Sequence, residues 1–290
     1  MRISIVALTI FLSMAHAACG MKNRAGQIEG TGAGENVING DVVPDNHPTK
    51  SSIIQIVDTS IVQSLQRICS GVIISENAVL TATHCLYYET SARPKAPESY
   101  RMRDLTNLLV SMDARGVAIS KAIIDVRAFP LPTRAPNGND LALLRLEDGI
   151  PRGITPATLL GDSSIMKPDQ TVFVAGYGKV LTNAPESVVS LRSGTMVIKG
   201  DFSPNELELK KLPEKNQITC NGDSGGPAFV DVGGKFFLWG INRGGDPFCS
   251  FQSVFTKAYN YAAWIESVVE EWRGESRDVR QAPIQREVKK

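Results

Sequence analysis

The sequence predicts an all-β fold, and two features of its apolar pattern carry the prediction. Short apolar runs with turn residues between them recur from residue 37 onward. Helical segments do not alternate with these runs, as βαβ units would require. The pattern therefore favours a sandwich or a barrel of β-strands, with one helix near the end of the chain.

Seven apolar runs are the candidate strands, and one amphipathic stretch is the candidate helix. The runs are 52–57, 72–74, 79–82, 141–146, 171–175, 196–198 and 236–241. The helix is predicted over 258–272 from apolar residues that fall near one face, namely Tyr261, Trp264, Ile265, Val268 and Val269. The stretch 273–290 is charged, mixed in sign and aperiodic, which is typical of a solvated tail.

The length and the net charge of the chain limit the classes of protein to which it can belong. The 290 residues suffice for one large domain or two modest ones. A formal net charge of +1 gives no electrostatic reason to expect a nucleic-acid partner. Beyond the first residues, the sequence holds no apolar stretch long enough to span a bilayer.

The first 17 residues have the three-part order of a signal peptide. A short positive start, Met1–Arg2, precedes a mostly apolar run over 3–14, and the small-x-small pattern Ala15–His16–Ala17 follows. We expect this segment to be removed. The mature chain is therefore predicted to be exported, that is, secreted, periplasmic or lipid-anchored at the cell envelope.

Cysteine usage agrees with export, because disulfides form outside the cytosol. The first of the five cysteines, Cys19, stands before the polar, glycine-rich stretch 21–36, as in a bacterial lipoprotein with a lipid anchor and a tether. Plain cleavage after Ala17 is the alternative, so 18–36 is a propeptide or a tether. A lipid on Cys19 would be the protein's membrane attachment. In either case four cysteines remain for two disulfides: Cys69, Cys85, Cys220 and Cys249.

Histidine is scarce, which limits the possible chemistry. Once His16 leaves with the signal, only His47 and His84 remain. This count excludes a histidine-rich metal site, and no cofactor is expected. His47 stands in a turn-like stretch and is interpreted as a surface residue. His84 lies in LTATHC, between an apolar strand and a cysteine.

Three motifs carry the residues of a nucleophilic site. They are LTATHC around His84, NGNDLALLRL around Asp140 and NGDSGGP around Ser224, in the order His, Asp, Ser. With these motifs in this order, residues 37–272 resemble the chymotrypsin-like serine proteases. The resemblance implies two six-stranded antiparallel β-barrels, roughly 37–155 and 156–255, divided near 150–162. It also implies a catalytic triad in the cleft between them.

The chemistry of acyl transfer explains why these residue types occur together. A serine hydroxyl is a poor nucleophile at neutral pH, so Ser224 needs a base, and His84 is the plausible imidazole. Asp140 would hold that imidazole in one tautomer; taken alone, it would be a turn or strand-edge carboxylate. The glycines beside Ser224 allow a tight turn, in which the resemblance assigns the oxyanion to the N–H groups of Gly222 and Ser224.

The resemblance also implies activation by cleavage. In this family a carboxylate beside the nucleophile, here Asp223, pairs with a new α-amino group, and VINGDVV from Val37 resembles the start of a mature protease. The residue before the cleavage point is Asn36, whereas basic residues are usual there. The activating protease is therefore an open question. The implied disulfides are Cys69–Cys85 and Cys220–Cys249, each beside a catalytic segment.

The same resemblance gives the expected specificity pocket. Ile218, six residues before Ser224, falls at the base, where trypsin has an aspartate, while Gly245 and Ser253 match the side walls. An uncharged residue before the scissile bond is therefore expected. Arg243 falls where the family has a serine that supports the catalytic aspartate. Its charge either competes for Asp140 or points into solvent.

Together these observations predict an exported serine endopeptidase that is made as a zymogen and acts on protein or peptide substrates. Its further partner would be an activating protease. A non-catalytic, protease-like binding protein is the alternative, although such proteins usually lack a triad residue. An esterase of another fold is a weaker reading, because the triad residues of such folds follow a different chain order.

Overall fold

The computed structural model describes residues 37–60, 66–90, 100–114, 116–129, 139–178 and 190–281. Within these ranges the chain forms sixteen β-strands, short 3₁₀ turns and one α-helix. The expected signal peptide (1–17) and the propeptide or tether (18–36) lie outside the described residues.

The first part of the chain forms a closed barrel of six antiparallel strands. In order around the barrel these are β2 (Ile53–Asp58), β3 (Gln66–Ile73), β4 (Ala78–Thr81), β9 (Ala142–Leu146), β8 (Val117–Ala128) and β7 (Leu108–Ala114). Alternate residues of β7 point into the barrel, where Leu108, Val110 and Met112 are buried. Two short strands, β5 (Tyr87–Glu89) and β6 (Tyr100–Met102), form a separate sheet.

The second part forms another closed barrel. Its strands, in order, are β12 (Arg192–Ser203), β11 (Thr171–Gly176), β14 (Pro227–Val232), β15 (Lys235–Gly245), β16 (Ser253–Lys257) and β13 (Glu206–Lys211). The barrel closes because β13 pairs with both β16 and β12. Two short strands, β1 (Asp41–Val42) and β10 (Thr158–Leu159), pair with β12 and β15 at its margin.

The expectation of two six-stranded antiparallel barrels is therefore confirmed. The last strand of the first barrel ends at Leu146, and β10 at Thr158–Leu159 already pairs with the second barrel. The apolar runs located parts of seven strands. The other five barrel strands, β7, β8, β13, β14 and β16, were missed. In β7, β8 and β13 polar side chains interrupt the apolar pattern.

The C-terminal helix differs from its prediction at both ends. A 3₁₀ turn, Ala258–Tyr261, replaces its first turn, and the α-helix α1 runs over Ala262–Gln281. The prediction of an aperiodic tail from residue 273 is therefore wrong as far as 281. Tertiary contacts explain the extension: the buried Trp272 donates its Nε1–H to Asp125 at 2.9 Å, and Arg145 pairs with Glu275.

Two further features bear on the sequence predictions. No helix among the described residues is both long enough and apolar enough to cross a membrane. His47 is half-buried rather than on the surface, and its ring stacks on Phe173 with centroids 4.7 Å apart. Burial lowers the pKa of His47, which favours the neutral imidazole in this contact.

Candidate active site

His84 and Asp140 meet at the end of two paired strands. Because Thr81 of β4 pairs with Ala142 of β9, the residues next to these strands lie side by side. His84 stands in the 3₁₀ turn after β4, and Asp140 lies two residues before the start of β9. The distance from His84 Nδ1 to Asp140 Oδ2 is 2.6 Å, and the backbone N–H of His84 donates to Asp140 Oδ1 at 2.9 Å.

Each member of this pair shifts the pKa of the other. Burial alone would raise the pKa of Asp140, which is 2% exposed, but the charge and hydrogen bonds of His84 outweigh burial and lower it. Burial would lower the pKa of His84, and the charge and hydrogen bond of Asp140 reverse this and raise it. The carboxylate therefore stays ionised and stabilises a protonated imidazole.

Threonine side chains hold this pair in place, and sequence reasoning missed them. Thr83 donates its hydroxyl to the carbonyl of Leu141 at 2.8 Å, which ties the histidine turn to the aspartate strand. Thr256 of β16 donates to the carbonyl of Asp140 at 3.4 Å. The second barrel thus contacts the segment of the first barrel that carries Asp140.

Two backbone hydrogen bonds join the turn that carries Ser224 to Asn242 of β15. Gly225 N–H donates to the carbonyl of Asn242 at 2.7 Å, and Asn242 N–H donates to the carbonyl of Gly226 at 2.8 Å. Gly225 has φ +77°, and a Cβ there would lie 2.1 Å from Thr81 Oγ1. Only glycine fits at this position, because the first barrel packs directly against the turn.

Ser70 joins the turn of Ser224 to the first barrel, and no signal in the sequence singled it out. This buried residue of β3 donates its N–H to the carbonyl of Ser224 at 2.8 Å. Its hydroxyl donates to the carbonyl of Gly222 at 3.0 Å and accepts from Tyr177 N–H at 2.8 Å. Position and orientation of the turn therefore depend on both barrels.

The two expected oxyanion donors remain unused by the protein. Gly222 adopts φ +93°, which a residue with a side chain rarely does. Within the part of the chain that the structure describes, neither Gly222 N–H nor Ser224 N–H donates to a protein acceptor. Two backbone donors in one tight turn are thus free to bind a ligand oxygen.

Asp223 lies fully buried and accepts three backbone hydrogen bonds. Val37 N–H and Cys220 N–H donate to its Oδ2, both at 2.9 Å, and Gly178 N–H donates to Oδ1 at 3.0 Å. Burial raises the pKa of Asp223 to about 6, and the three donors only partly oppose this shift. In the uncut chain the donor from Val37 is a peptide N–H, so this carboxyl group lacks a cationic partner at that contact.

The expected pocket residues cluster beside this turn. Ile218 is fully buried in the core of the second barrel and bridges to Ile38. Gly245 and Ser253 are paired on neighbouring strands. Ser253 Oγ lies 2.7 Å from the hydroxyl of Thr219, a contact that sequence reasoning missed. Ile218, Thr219 and Ser253 are buried, Gly245 is exposed, and none of these four residues carries a charge.

Both expected disulfides are present. Cys69 and Cys85 are joined with their Cα atoms 5.9 Å apart, and Cys220 and Cys249 with theirs 5.3 Å apart. The sulfur atoms of Cys69 and Cys85 lie close to His84, but sulfurs bonded to each other do not serve as thiolate ligands for a metal.

Arg243 does not point into open solvent. Its Nε lies 3.1 Å from Oε1 of Glu206, a fully buried carboxylate that also accepts a hydrogen bond from Ser203 Oγ at 2.8 Å. The positive charge of Arg243 also lowers the pKa of Asp140 and of His84, in each case as a smaller cause. Sequence reasoning found the arginine and missed its partner, because Glu206 lies on a different strand.

Comparison with known proteins agrees with this architecture. Residues 45–265 match the trypsin family. Mouse granzyme F is 28% identical over 247 residues, which cover 80% of this chain and 90% of the granzyme. Mouse granzyme E is 27% identical, with 81% and 92% covered, and bovine complement C1s subcomponent is 29% identical, with 51% and 25% covered. These mammalian relatives lend no support to the bacterial origin that the surroundings of Cys19 suggest.

Proposed function

Because the chain belongs to the trypsin family of serine proteases, we propose that it is a serine endopeptidase whose nucleophile is Ser224. The observation that carries this proposal is the contact of 2.6 Å between His84 Nδ1 and the buried carboxylate of Asp140. A buried carboxylate at one ring nitrogen leaves the other, Nε2, as the base for a serine hydroxyl.

In the proposed reaction His84 takes the proton from Ser224 Oγ while this oxygen bonds to the carbonyl carbon of the substrate. The carbonyl oxygen becomes an oxyanion, which the free N–H groups of Gly222 and Ser224 stabilise. His84 then gives its proton to the leaving amine as the peptide bond breaks, and an ester of Ser224 remains. Water attacks this ester in the same way and releases the acid.

We further propose that cleavage between Asn36 and Val37 activates the enzyme. The contact of 2.9 Å between Val37 N and Asp223 Oδ2 supports this proposal, because cleavage turns the peptide N–H into an ammonium group beside a buried carboxyl. Such a pair favours ionised Asp223 and anchors the turn of Gly222 and Ser224. The activating protease would cleave after asparagine.

The proposed substrates carry an uncharged residue before the scissile bond. Ile218 and the hydroxyl pair of Thr219 and Ser253 support this preference, because none of them balances a buried charge. Export is proposed from the signal-like start of the chain and from the two disulfides. Cleavage after Ala17 and lipid attachment at Cys19 remain the two proposed forms of the N-terminus.

Peptide hydrolysis tests the proposal. The purified chain is cut ahead of Val37 and incubated with a peptide library, and the products are sequenced by mass spectrometry. We expect cleavage after uncharged residues, loss of activity in Ser224→Ala, and full activity in the exposed control Ser163→Ala. A well-folded cut chain that binds peptides without cleaving them would instead support the non-catalytic binding protein.

A further inference from the structure

Two phenylalanine side chains project from the loop between β15 and β16. Phe248 is 82% exposed and Phe251 is 64% exposed, the highest values among the large apolar side chains that the structure describes. Exposed aromatic residues on one loop are typical of interaction surfaces.

Buried Asp246 fixes the backbone that carries them. Its carboxylate accepts from the N–H groups of Phe248 at 3.1 Å, Ser250 at 2.8 Å, Phe251 at 3.0 Å and Gln252 at 3.1 Å. Burial would raise the pKa of Asp246, but these donors outweigh burial and lower it, so the carboxylate stays ionised. The two rings are therefore presented from an ordered loop.

The loop is also attached to the candidate active site. Cys249, between the two phenylalanines, is bonded to Cys220, four residues before Ser224. The loop leaves β15 directly after Gly245 and enters β16 at Ser253, which are two of the expected pocket residues. The loop that carries the exposed rings is thus continuous with the residues of the proposed substrate site.

We propose that Phe248 and Phe251 form an apolar platform that binds apolar side chains of the polypeptide substrate outside the scissile residue. This inference rests on the proposed function. Because an ordered platform loses little conformational freedom on binding, most of the free energy gained by burying its aromatic surface contributes to affinity. The loop 246–252 contains no lysine or arginine, which disfavours an anionic lipid surface as the occupant.

Kinetics on matched substrates test the platform. The variants are Phe248→Ser, Phe251→Ser and the double variant, with Val117→Ser as the control, since Val117 is 60% exposed on the first barrel. Each is assayed on two peptides with the same scissile residue, one with leucine and one with glycine at the distant positions, and on a single-residue ester. For the double variant we expect a loss of about tenfold in kcat/KM on the leucine peptide alone.

Binding on a Ser224→Ala background separates this inference from the proposed function. We expect the leucine peptide to bind the double variant about tenfold more weakly than its parent, whether or not the parent enzyme turns over. Equal binding of the leucine peptide to the double variant and to its parent overturns the platform. An equal loss of kcat/KM on the peptides and on the ester also overturns it, because the loop would then only support the turn of Ser224. The platform is also overturned if the parent sediments with phosphatidylcholine vesicles and the double variant does not, while both bind the peptide equally well.

Discussion

Arg243 Nε lies 3.1 Å from Glu206 Oε1, so an ion pair stands where the protease resemblance leads us to expect a serine beside the catalytic aspartate. The carboxylate is fully buried, while 22% of the arginine side chain is exposed. The pair thus holds a cation close to Asp140 and His84 without a direct contact to either. This arrangement makes the arginine testable through the titration of the histidine.

Replacing Arg243 by serine is expected to shift the pH profile of catalysis upward. The guanidinium charge lowers the pKa of His84, so its removal raises this pKa. Because His84 acts as a base only when it is neutral, the acidic limb of kcat/KM then moves to higher pH. The measurement is kcat/KM on one peptide between pH 5 and 9. The control Arg273→Ser, on the exposed face of α1, should leave the limb in place.

Replacing Glu206 alone is expected to destabilise the protein. Glu206→Gln leaves Arg243 without its buried partner, and breaking a buried pair typically costs about 3–5 kcal/mol in the free energy of unfolding. Because Arg243 is partly exposed, we expect a loss at the lower end of this range, about 3 kcal/mol in the free energy of unfolding. Urea unfolding of Glu206→Gln, of Arg243→Ser and of the double variant gives the coupling energy between the two side chains. Additive losses would contradict a coupled pair.

Ser70 is expected to act on catalysis through the position of the nucleophile turn. Ser70→Ala removes the hydroxyl that bonds Gly222 and Tyr177, which should cost about 1–3 kcal/mol of stability because two buried groups lose a partner. We also expect kcat to fall, with KM little changed. Ser75→Ala, which removes a hydroxyl from a turn of the first barrel, is the control. Unchanged kcat in a stable Ser70→Ala variant would argue against this role.

Gly225 is expected to tolerate no side chain. Gly225→Ala combines φ +77° with a Cβ placed 2.1 Å from Thr81 Oγ1. Gly233 offers a matched control, because it has φ +63° with no atom within 4 Å of an added Cβ. Gly233→Ala should cost about 1 kcal/mol and Gly225→Ala several times more, as measured by thermal or urea unfolding. Similar losses in both variants would contradict the close packing of the two barrels at this turn.

The uncut chain is expected to lose stability between about pH 4 and 7 through Asp223. Burial raises the folded-state pKa of this group from 3.8 to about 6. The stability that protonated Asp223 contributes is therefore fully present below pH 4 and is lost as the pH rises through 6. Relative to Asp223→Asn, the free energy of unfolding should fall by about 3 kcal/mol over this range.

Cleavage ahead of Val37 should weaken or reverse that dependence, because an ammonium group then favours the ionised carboxylate. The comparison needs urea unfolding of both forms at several pH values. A stability difference between uncut chain and Asp223→Asn that stays constant from pH 4 to 7 would be inconsistent with a raised pKa.

The sequence located the fold class and the segments around His84, Asp140 and Ser224, because short motifs and turn-forming glycines are local signals. It did not reveal Ser70 or Glu206, which act through contacts between distant strands. The end of α1 was missed for the same reason. Residues after 272 look like a solvated tail along the chain, whereas the ion pair of Arg145 with Glu275 holds them in the helix.

Covalent labelling of the nucleophile tests the central claim most directly. The chain cut ahead of Val37 is treated with a fluorophosphonate, and the modified residue is located by peptide mass spectrometry. We predict one adduct, on Ser224, that is absent from Ser224→Ala and strongly slowed in His84→Ala and in the uncut chain. A folded, cut chain in which Ser224 stays unmodified would contradict the assignment of this protein as a serine endopeptidase.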